Sequence, residues 1–345
     1  MQAEMTSKER VLNLLSRQSV DRMPCFSGMG CVTVAGMEKL GIKFSQVHFD
    51  GEKMAALAAT TPEMYGFDSA VVPFDVGVEA ELLGAKLNPY EDSEELLYPT
   101  LRDKVARTAD DLKIPTDLTR QGRVPVVTEA IGLLRERFGD KVAVGTYVLG
   151  PFTLAGQAMD LNDVLKMSAK DPAGISRILD ILSDLVIQLA HVYKEAGADY
   201  ITVREMGAST GMVSPRTFAN VVKPHLTRVL NSVPRPVVLH ICGKTNSIIR
   251  HMAECGADAL SVDHKNDVAV TRAEIGDEPV LLGNLDGYNV LVFGSKESVR
   301  QAVKECIDSG ISAVWPGCDI WPTASPENMA ALVEAVREYG GVRKA

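Results

Sequence analysis

The sequence predicts an α/β protein: a (β/α)8 TIM barrel carried as one domain over residues 1–345. Eight short apolar runs recur along the chain, mostly followed by helical patterns. Several runs, such as Val237-Val238-Leu239 and Val280-Leu281-Leu282, are apolar without interruption. That suits parallel strands covered by helices on both faces. A third observation is a repeated helix-to-strand turn: Ala196-Gly197-Ala198-Asp199, Cys255-Gly256-Ala257-Asp258 and Ser309-Gly310-Ile311-Ser312. Each places Gly where a left-handed helix cap needs it, just before a strand. A doubly wound open sheet is the alternative. No Gly-x-Gly-x-x-Gly follows any strand, so a dinucleotide-binding half has no support.

The elements follow in order. Thr6-Ser7-Lys8-Glu9 fits a capping box, Val11, Leu12, Leu14 and Leu15 supply the first helix with an apolar face, and Pro24 marks its exit. Strands are expected at Cys25–Ser27, Ser69–Phe74, Val142–Leu149, Tyr200–Glu205, Val237–Cys242, Ala259–Asp263, Val280–Leu285 and Ala313–Pro316. Helices are expected at Val164–Ala169, Pro172–Glu195, Pro215–Val233, Thr245–Cys255, Lys296–Ser309 and Pro326–Tyr339. Between Val76 and Val142 the alternation loosens. Asn88–Thr100 is polar and acidic, with Pro89 and Pro99, and Pro115 follows. This reads as an insertion between the second and third strands, a lid or substrate-facing loop.

Composition narrows the function. Lys and Arg total 36 against 45 Asp and Glu, a net charge of -9, and no dense basic cluster appears. A nucleic-acid partner is therefore not expected. At 46% hydrophobic residues the chain can build a large core. No run approaches the roughly 18 apolar residues of a membrane span. The first residues mix basic and acidic side chains and lack the pattern of a signal peptide, so the expected location is cytoplasmic, with no membrane partner. Six cysteines are too sparse for a disulfide scaffold.

Reactive side chains concentrate where predicted strands end, which is where barrel enzymes carry their active sites. Leu239-His240-Ile241-Cys242-Gly243 puts an imidazole and a thiol two residues apart, hence on the same side of an extended strand. That is half of a zinc site. Trp315-Pro316-Gly317-Cys318-Asp319 ends the last strand and brings a second thiol to the same level. Packing cysteines, or a catalytic Cys/His pair, are the competing readings. Cys255 and Cys306 fit apolar helix faces, and Cys25 and Cys31 read as packing or pocket lining. Three protein ligands with an open fourth position is the catalytic zinc pattern. Two thiolates would make that zinc a poor activator of water and a good holder of another thiolate.

His240-Ile241-Cys242-Gly243 with Pro316-Gly317-Cys318 resembles the zinc signature of the methylcobamide:coenzyme M methyltransferases, within the uroporphyrinogen decarboxylase superfamily. Val20-Asp21-Arg22-Met23-Pro24, Gln121–Val127, Gly150-Pro151-Phe152-Thr153-Leu154-Ala155, Glu195–Asp199 and Ser325-Pro326-Glu327-Asn328 look like further family segments, so the likeness spans nearly the whole chain. The resemblance implies a barrel, a catalytic zinc on His240, Cys242 and Cys318, and methyl transfer from a methylated corrinoid. The donor methylcobamide would be presented by a small corrinoid protein, and the acceptor would be a small molecule. A thiol such as coenzyme M is the first expectation and tetrahydrofolate the alternative. The family pattern also implies an acidic zinc ligand after the sixth strand. Asp263 stands there, one methylene shorter than the Glu the pattern favours; a turn-capping carboxylate is its other reading.

Glu205, in Val203-Arg204-Glu205-Met206-Gly207, occupies a place where the coenzyme M enzymes carry an Asp-Pro pair. It reads as an acid/base group, as a partner of a pterin-like acceptor, or as a carboxylate orienting His240. A metal-free porphyrinogen decarboxylase is a further reading. It would need basic side chains for a polycarboxylate, yet Gly28–Val34 after the first strand holds no arginine.

Overall fold

In the computed structural model, which describes residues 4–341, seven parallel strands form one sheet. They are β1 (Ser69–Val72), β4 (Ala143–Leu149), β5 (Tyr200–Arg204), β6 (Val237–Ile241), β7 (Ala259–Val262), β8 (Val280–Leu285) and β9 (Ala313–Pro316), each hydrogen-bonded to the next in the order β1-β4-β5-β6-β7-β8-β9. The short β2 (Leu87–Asn88) and β3 (Thr100–Leu101) pair antiparallel in a separate ribbon. All seven main strands are parallel, so their C-terminal ends form one rim.

The Cys25 segment lies between the two sheet edges. Cys25 bridges Val314 of β9 in parallel, and its carbonyl accepts the Asp68 N–H beside β1 at 2.8 Å. The expected first strand, Cys25–Ser27, is thus reduced to a single bridge. The physical reason is local. Cys25 N–H donates to the Asp68 carboxylate at 2.9 Å and Ser27 N–H to Ser69 Oγ at 3.2 Å, so side chains take the donors a ladder would use. At β5, β6 and β7 the last expected residue, Glu205, Cys242 and Asp263, falls just beyond the ladder, β4 starts one residue later than expected, and β8 and β9 have the expected bounds. β1 stops at Val72 because Pro73 has no N–H to donate.

The capping box forms: Thr6 Oγ1 accepts from Glu9 N–H at 3.1 Å and Glu9 returns a carboxylate to Thr6 N–H at 2.8 Å. Helix Pro172–Ala196 shows why the crossovers pack. Ile175, Ile178, Leu179, Leu182, Leu185, Val186 and Leu189 repeat at three- and four-residue spacing, and all are buried. Each contributes on the order of 1.5–3 kcal/mol by leaving water. The segment expected as one helix over Pro215–Val233 contains a π turn at Phe218–Val222. Pro224 follows it, and a proline inside a helix clashes with the carbonyl four residues back, which a wider turn accommodates.

Six helices lie outside the expected set: Val34–Leu40, Gly51–Tyr65, Val78–Leu82, Val124–Phe138, Pro151–Ala158 and Val268–Ile275. Gly51–Tyr65 is capped by Asp50 and Gly66 but carries Pro62 inside it, which reads as a stop in sequence. Residues 73–142, between β1 and β4, hold helix Val78–Leu82, the β2-β3 ribbon, two 3-10 turns and helix Val124–Phe138. No helix among the described residues is long and apolar enough to cross a membrane.

Candidate active site

β6 delivers His240 as its penultimate residue, and the chain leaves the strand through Cys242. Gly243 then turns with φ +79, a left-handed conformation that side chains rarely adopt, which ends the strand one residue past the thiol. β9 delivers Cys318 through Gly317. A side chain on Gly317 would meet His264 N at 2.7 Å and the Leu285 carbonyl at 3.0 Å, so only glycine lets this turn lie against the ends of β7 and β8. The result is convergence. His240, Cys242 and Cys318 each offer a ligand atom, all within 4.8 Å of one another.

The electrostatics match a soft-metal site. His240 is fully buried; its Nδ1 lies 2.9 Å from Ser261 Oγ, and its Nε2 has no partner. An orphaned buried ring nitrogen is costly unless something binds it. With Ser261 Oγ accepting from Nδ1–H, the Nε2 lone pair is free to bind a metal. The two thiols are partly buried. Hydrogen bonding with Cys318 holds Cys242 below the usual thiol range, while Cys242 and burial push Cys318 up. Two cysteine sulfurs and an imidazole nitrogen at this spacing are a donor set for zinc. These residues fit the metal that the sequence pattern implies.

Asp263 lies outside this cluster. Its carboxylate accepts Gly243 N–H at 2.9 Å and Lys265 N–H at 2.9 Å, and it pairs with His264 at 3.0 Å. It thereby ties β7 to the turn that carries Cys242, and both oxygens are spent on backbone donors. Glu205 also takes a different place. Its carboxylate accepts Phe152 N–H at 3.1 Å, Thr153 N–H at 2.6 Å and the Thr153 hydroxyl at 2.5 Å, at the start of helix Pro151–Ala158. Burial pushes its pKa up to about 7, against the lowering effect of Thr153 and Phe152. Glu205 is thus spent on a helix N-terminus. The residue that orients His240 is Ser261.

A cavity of about 340 Å³ opens beside Cys318. Tyr98 and Pro99 from the segment between β1 and β4 form one wall, and Ile320 and Trp321 after β9 form another. Its polar groups are Asp75, Arg204, Cys318 and Asp319. Asp75 is held by Arg123 at 2.6 and 2.8 Å and by His48 at 3.1 Å. Burial works against its charge, but Arg123 and His48 keep its pKa below the ordinary range. Arg204 ends β5 and donates to Asp319 at 2.6 Å. The sequence contained one signal for it, a lone arginine closing the run Tyr200-Ile201-Thr202-Val203. Nothing comparable marks Ser261, which meets His240 only through the β6-β7 register.

A family match over residues 6–339 places this chain in the uroporphyrinogen decarboxylase (URO-D) family. Within the family its relatives are methyltransferases as well as decarboxylases. It is 33% identical over 339 residues to methylcobamide:CoM methyltransferase MtaA of Methanosarcina barkeri, covering 98% of this chain and 99% of that one. It is 30% identical to methylcobamide:CoM methyltransferase MtbA of Methanosarcina acetivorans, covering 97% and 99%. A solved methyltransferase from Methanosarcina mazei superposes with TM-score 0.92 at 32% identity, covering 97% and 99%. Uroporphyrinogen decarboxylase of Hydrogenovibrio crunogenus is 24% identical over 96% of each chain.

Proposed function

We propose that this protein is a zinc-dependent methyltransferase that moves a methyl group from a methylated corrinoid to a small thiol. The observation that carries the reading is the convergence of His240, Cys242 and Cys318 around an unpartnered imidazole nitrogen. Relatives named as methylcobamide:CoM methyltransferases support the donor and the acceptor class. A zinc held by these three side chains would keep an acceptor sulfur as thiolate at neutral pH.

The chain's own residues supply the rest. Ser261 engages Nδ1 of the His240 ring, which leaves Nε2 as the nitrogen available to the metal. Asp263 anchors the Gly243 turn behind Cys242. The apolar walls of the cavity would limit water around the reacting sulfur, and Tyr98 and Pro99 bring the segment between β1 and β4 to one side of it. In the reaction the acceptor sulfur attacks the methyl carbon in line. A sulfur–carbon bond forms, the cobalt–carbon bond breaks, and its electron pair remains on cobalt as Co(I). The open rim is where a small corrinoid protein would present the methyl group.

The test is spectroscopic. Purified protein should hold about one zinc per chain and convert methylcobalamin to Co(I) when coenzyme M is added. Absence of zinc, or turnover with tetrahydrofolate and none with thiols, refutes the thiol reading. Turnover of uroporphyrinogen alone refutes methyl transfer.

A further inference from the structure

The two metal-site side chains delivered by β6 are each braced from the next strand. His240 sits in the β6 ladder, with Ser261 Oγ 2.9 Å from its Nδ1. Cys242 precedes Gly243, whose N–H donates to Asp263 at 2.9 Å. Cys318 arrives differently. β9 already ends at Pro316, and just behind the thiol the Gly317 N–H donates to the Leu285 carbonyl at 2.8 Å. Among the described residues no hydrogen bond fixes the Cys318 backbone itself.

On the other side of Cys318 stands Asp319, which accepts from Arg204 Nη2 at 2.6 Å. Arg204 ends β5, is 1% exposed, and lays its guanidinium 4.7 Å from the centre of the Tyr147 ring. A planar cation packed on an aromatic face is a stiff anchor. It stands in register with His240 of the next strand. β5 and β9 are four places apart in the sheet, so the Arg204–Asp319 pair reaches across the barrel mouth. It draws the turn that carries Cys318 toward the strand beside His240. Asp319 is the one carboxylate paired with Arg204 among the described residues. No carboxylate among them joins the ligand atoms that converge within 4.8 Å, so Asp319 acts through the turn and not as a ligand.

We propose that Arg204 and Asp319 are positioning residues: their ion pair is the brace that holds Cys318 within reach of the two donors on β6. The metal rests on the proposed zinc reading; the brace rests on the ion pair and on the absence of another hold on the Cys318 backbone. Losing an outer partner of a metal ligand weakens metal binding about 10- to 100-fold. Two rival roles for Asp319 lead to different outcomes. If it acts only by its negative charge, Asn in its place is as harmful as Ala. If its loss acts only by stranding the positive Arg204 beside the metal, removing Arg204 as well restores binding.

The experiment uses the full chain, stripped of metal and reloaded with zinc or Co(II). Zinc affinity is read by chelator competition, and the cobalt site by absorption, whose sulfur-to-cobalt charge-transfer intensity reports bound thiolates. Asp319→Ala should weaken zinc by about 10-fold or more and lower the charge-transfer intensity per bound cobalt. Asp319→Asn keeps an oxygen for Arg204 Nη2 and should stay within about threefold of the parent. Arg204→Met should match Asp319→Ala, and so should the double variant Arg204→Met/Asp319→Ala, because each removes the same contact. Asp319 has a side chain 39% exposed on the rim, so its two variants decide the matter where Arg204→Met fails to fold. Parent-like affinity and spectrum in Asp319→Ala overturn the inference. Equal loss in Asp319→Asn, or recovery in the double variant, overturns it too. A parent chain that binds neither metal refutes the zinc reading and the brace with it. A parent that binds both, beside variants that match it, refutes the brace alone.

Discussion

Ser261→Ala tests the site at its least obvious point. Ser261 is fully buried, and its hydroxyl lies 2.9 Å from His240 Nδ1. The substitution removes one oxygen and leaves the β6-β7 ladder, which runs through the backbone, untouched. With zinc on Nε2, Nδ1 must carry the proton and would then have no acceptor. An unpaired buried donor costs about 1–3 kcal/mol. The metal-free protein escapes part of this cost, because its imidazole can move the proton to Nε2. The cost therefore falls mainly on the loaded form, and zinc affinity should drop about 10- to 100-fold. Competition against a chromophoric chelator at pH 7 measures it, with thermal unfolding of the metal-free variant as the control. An unchanged affinity in a folded variant would falsify the assigned tautomer, and with it the ligand role of Nε2.

Four further outcomes are expected. Cys318→Ser should lose zinc retention and methyl transfer while unfolding cooperatively like the parent, because Cys318 lies on the rim and outside the apolar core. Asp263→Ala should keep about one zinc per chain but lose roughly 2 kcal/mol of stability, since the Gly243 and Lys265 amides go unpaired; loss of the metal with stability intact would instead make Asp263 a ligand. Glu205→Ala strips three donors at a buried helix start and should cost on the order of 3–5 kcal/mol in urea unfolding; a change below about 1 kcal/mol contradicts the capping role. At the N-terminus, burial opposes the charge on Asp21 but Arg10 lowers its pKa from 3.8 to about 2. Its contribution is present above pH 3.8 and lost as pH falls through about 2. Asp21→Asn should therefore destabilise by about 2 kcal/mol at pH 7 and by nearly nothing below pH 2, read as denaturation midpoints across pH.

The sequence by itself determined the α/β alternation and the nomination of His240, Cys242 and Cys318. Strand-to-helix grammar is local: Gly197, Gly256 and Gly310 all adopt the positive φ that their turns require. The His-x-Cys spacing is also local, because alternation along a strand puts both side chains on one face. The tertiary structure decided everything that depends on register. Ser261 faces His240 through a neighbouring strand 21 residues away. Glu205 looked like an orienting carboxylate, yet it caps a helix start 52 and 53 residues earlier in the chain. Asp263 stands where an acidic ligand was expected, and its oxygens go to the Gly243 and Lys265 backbone amides instead. Cys25–Ser27 has the composition of a strand, but Asp68 and Ser69 satisfy its donors from their side chains. A hydrogen-bonding group carries no mark in sequence of which partner will claim it. Folding assigns that partner by bringing distant donors and acceptors into reach, and so fixes which of the nominated carboxylates are free to act.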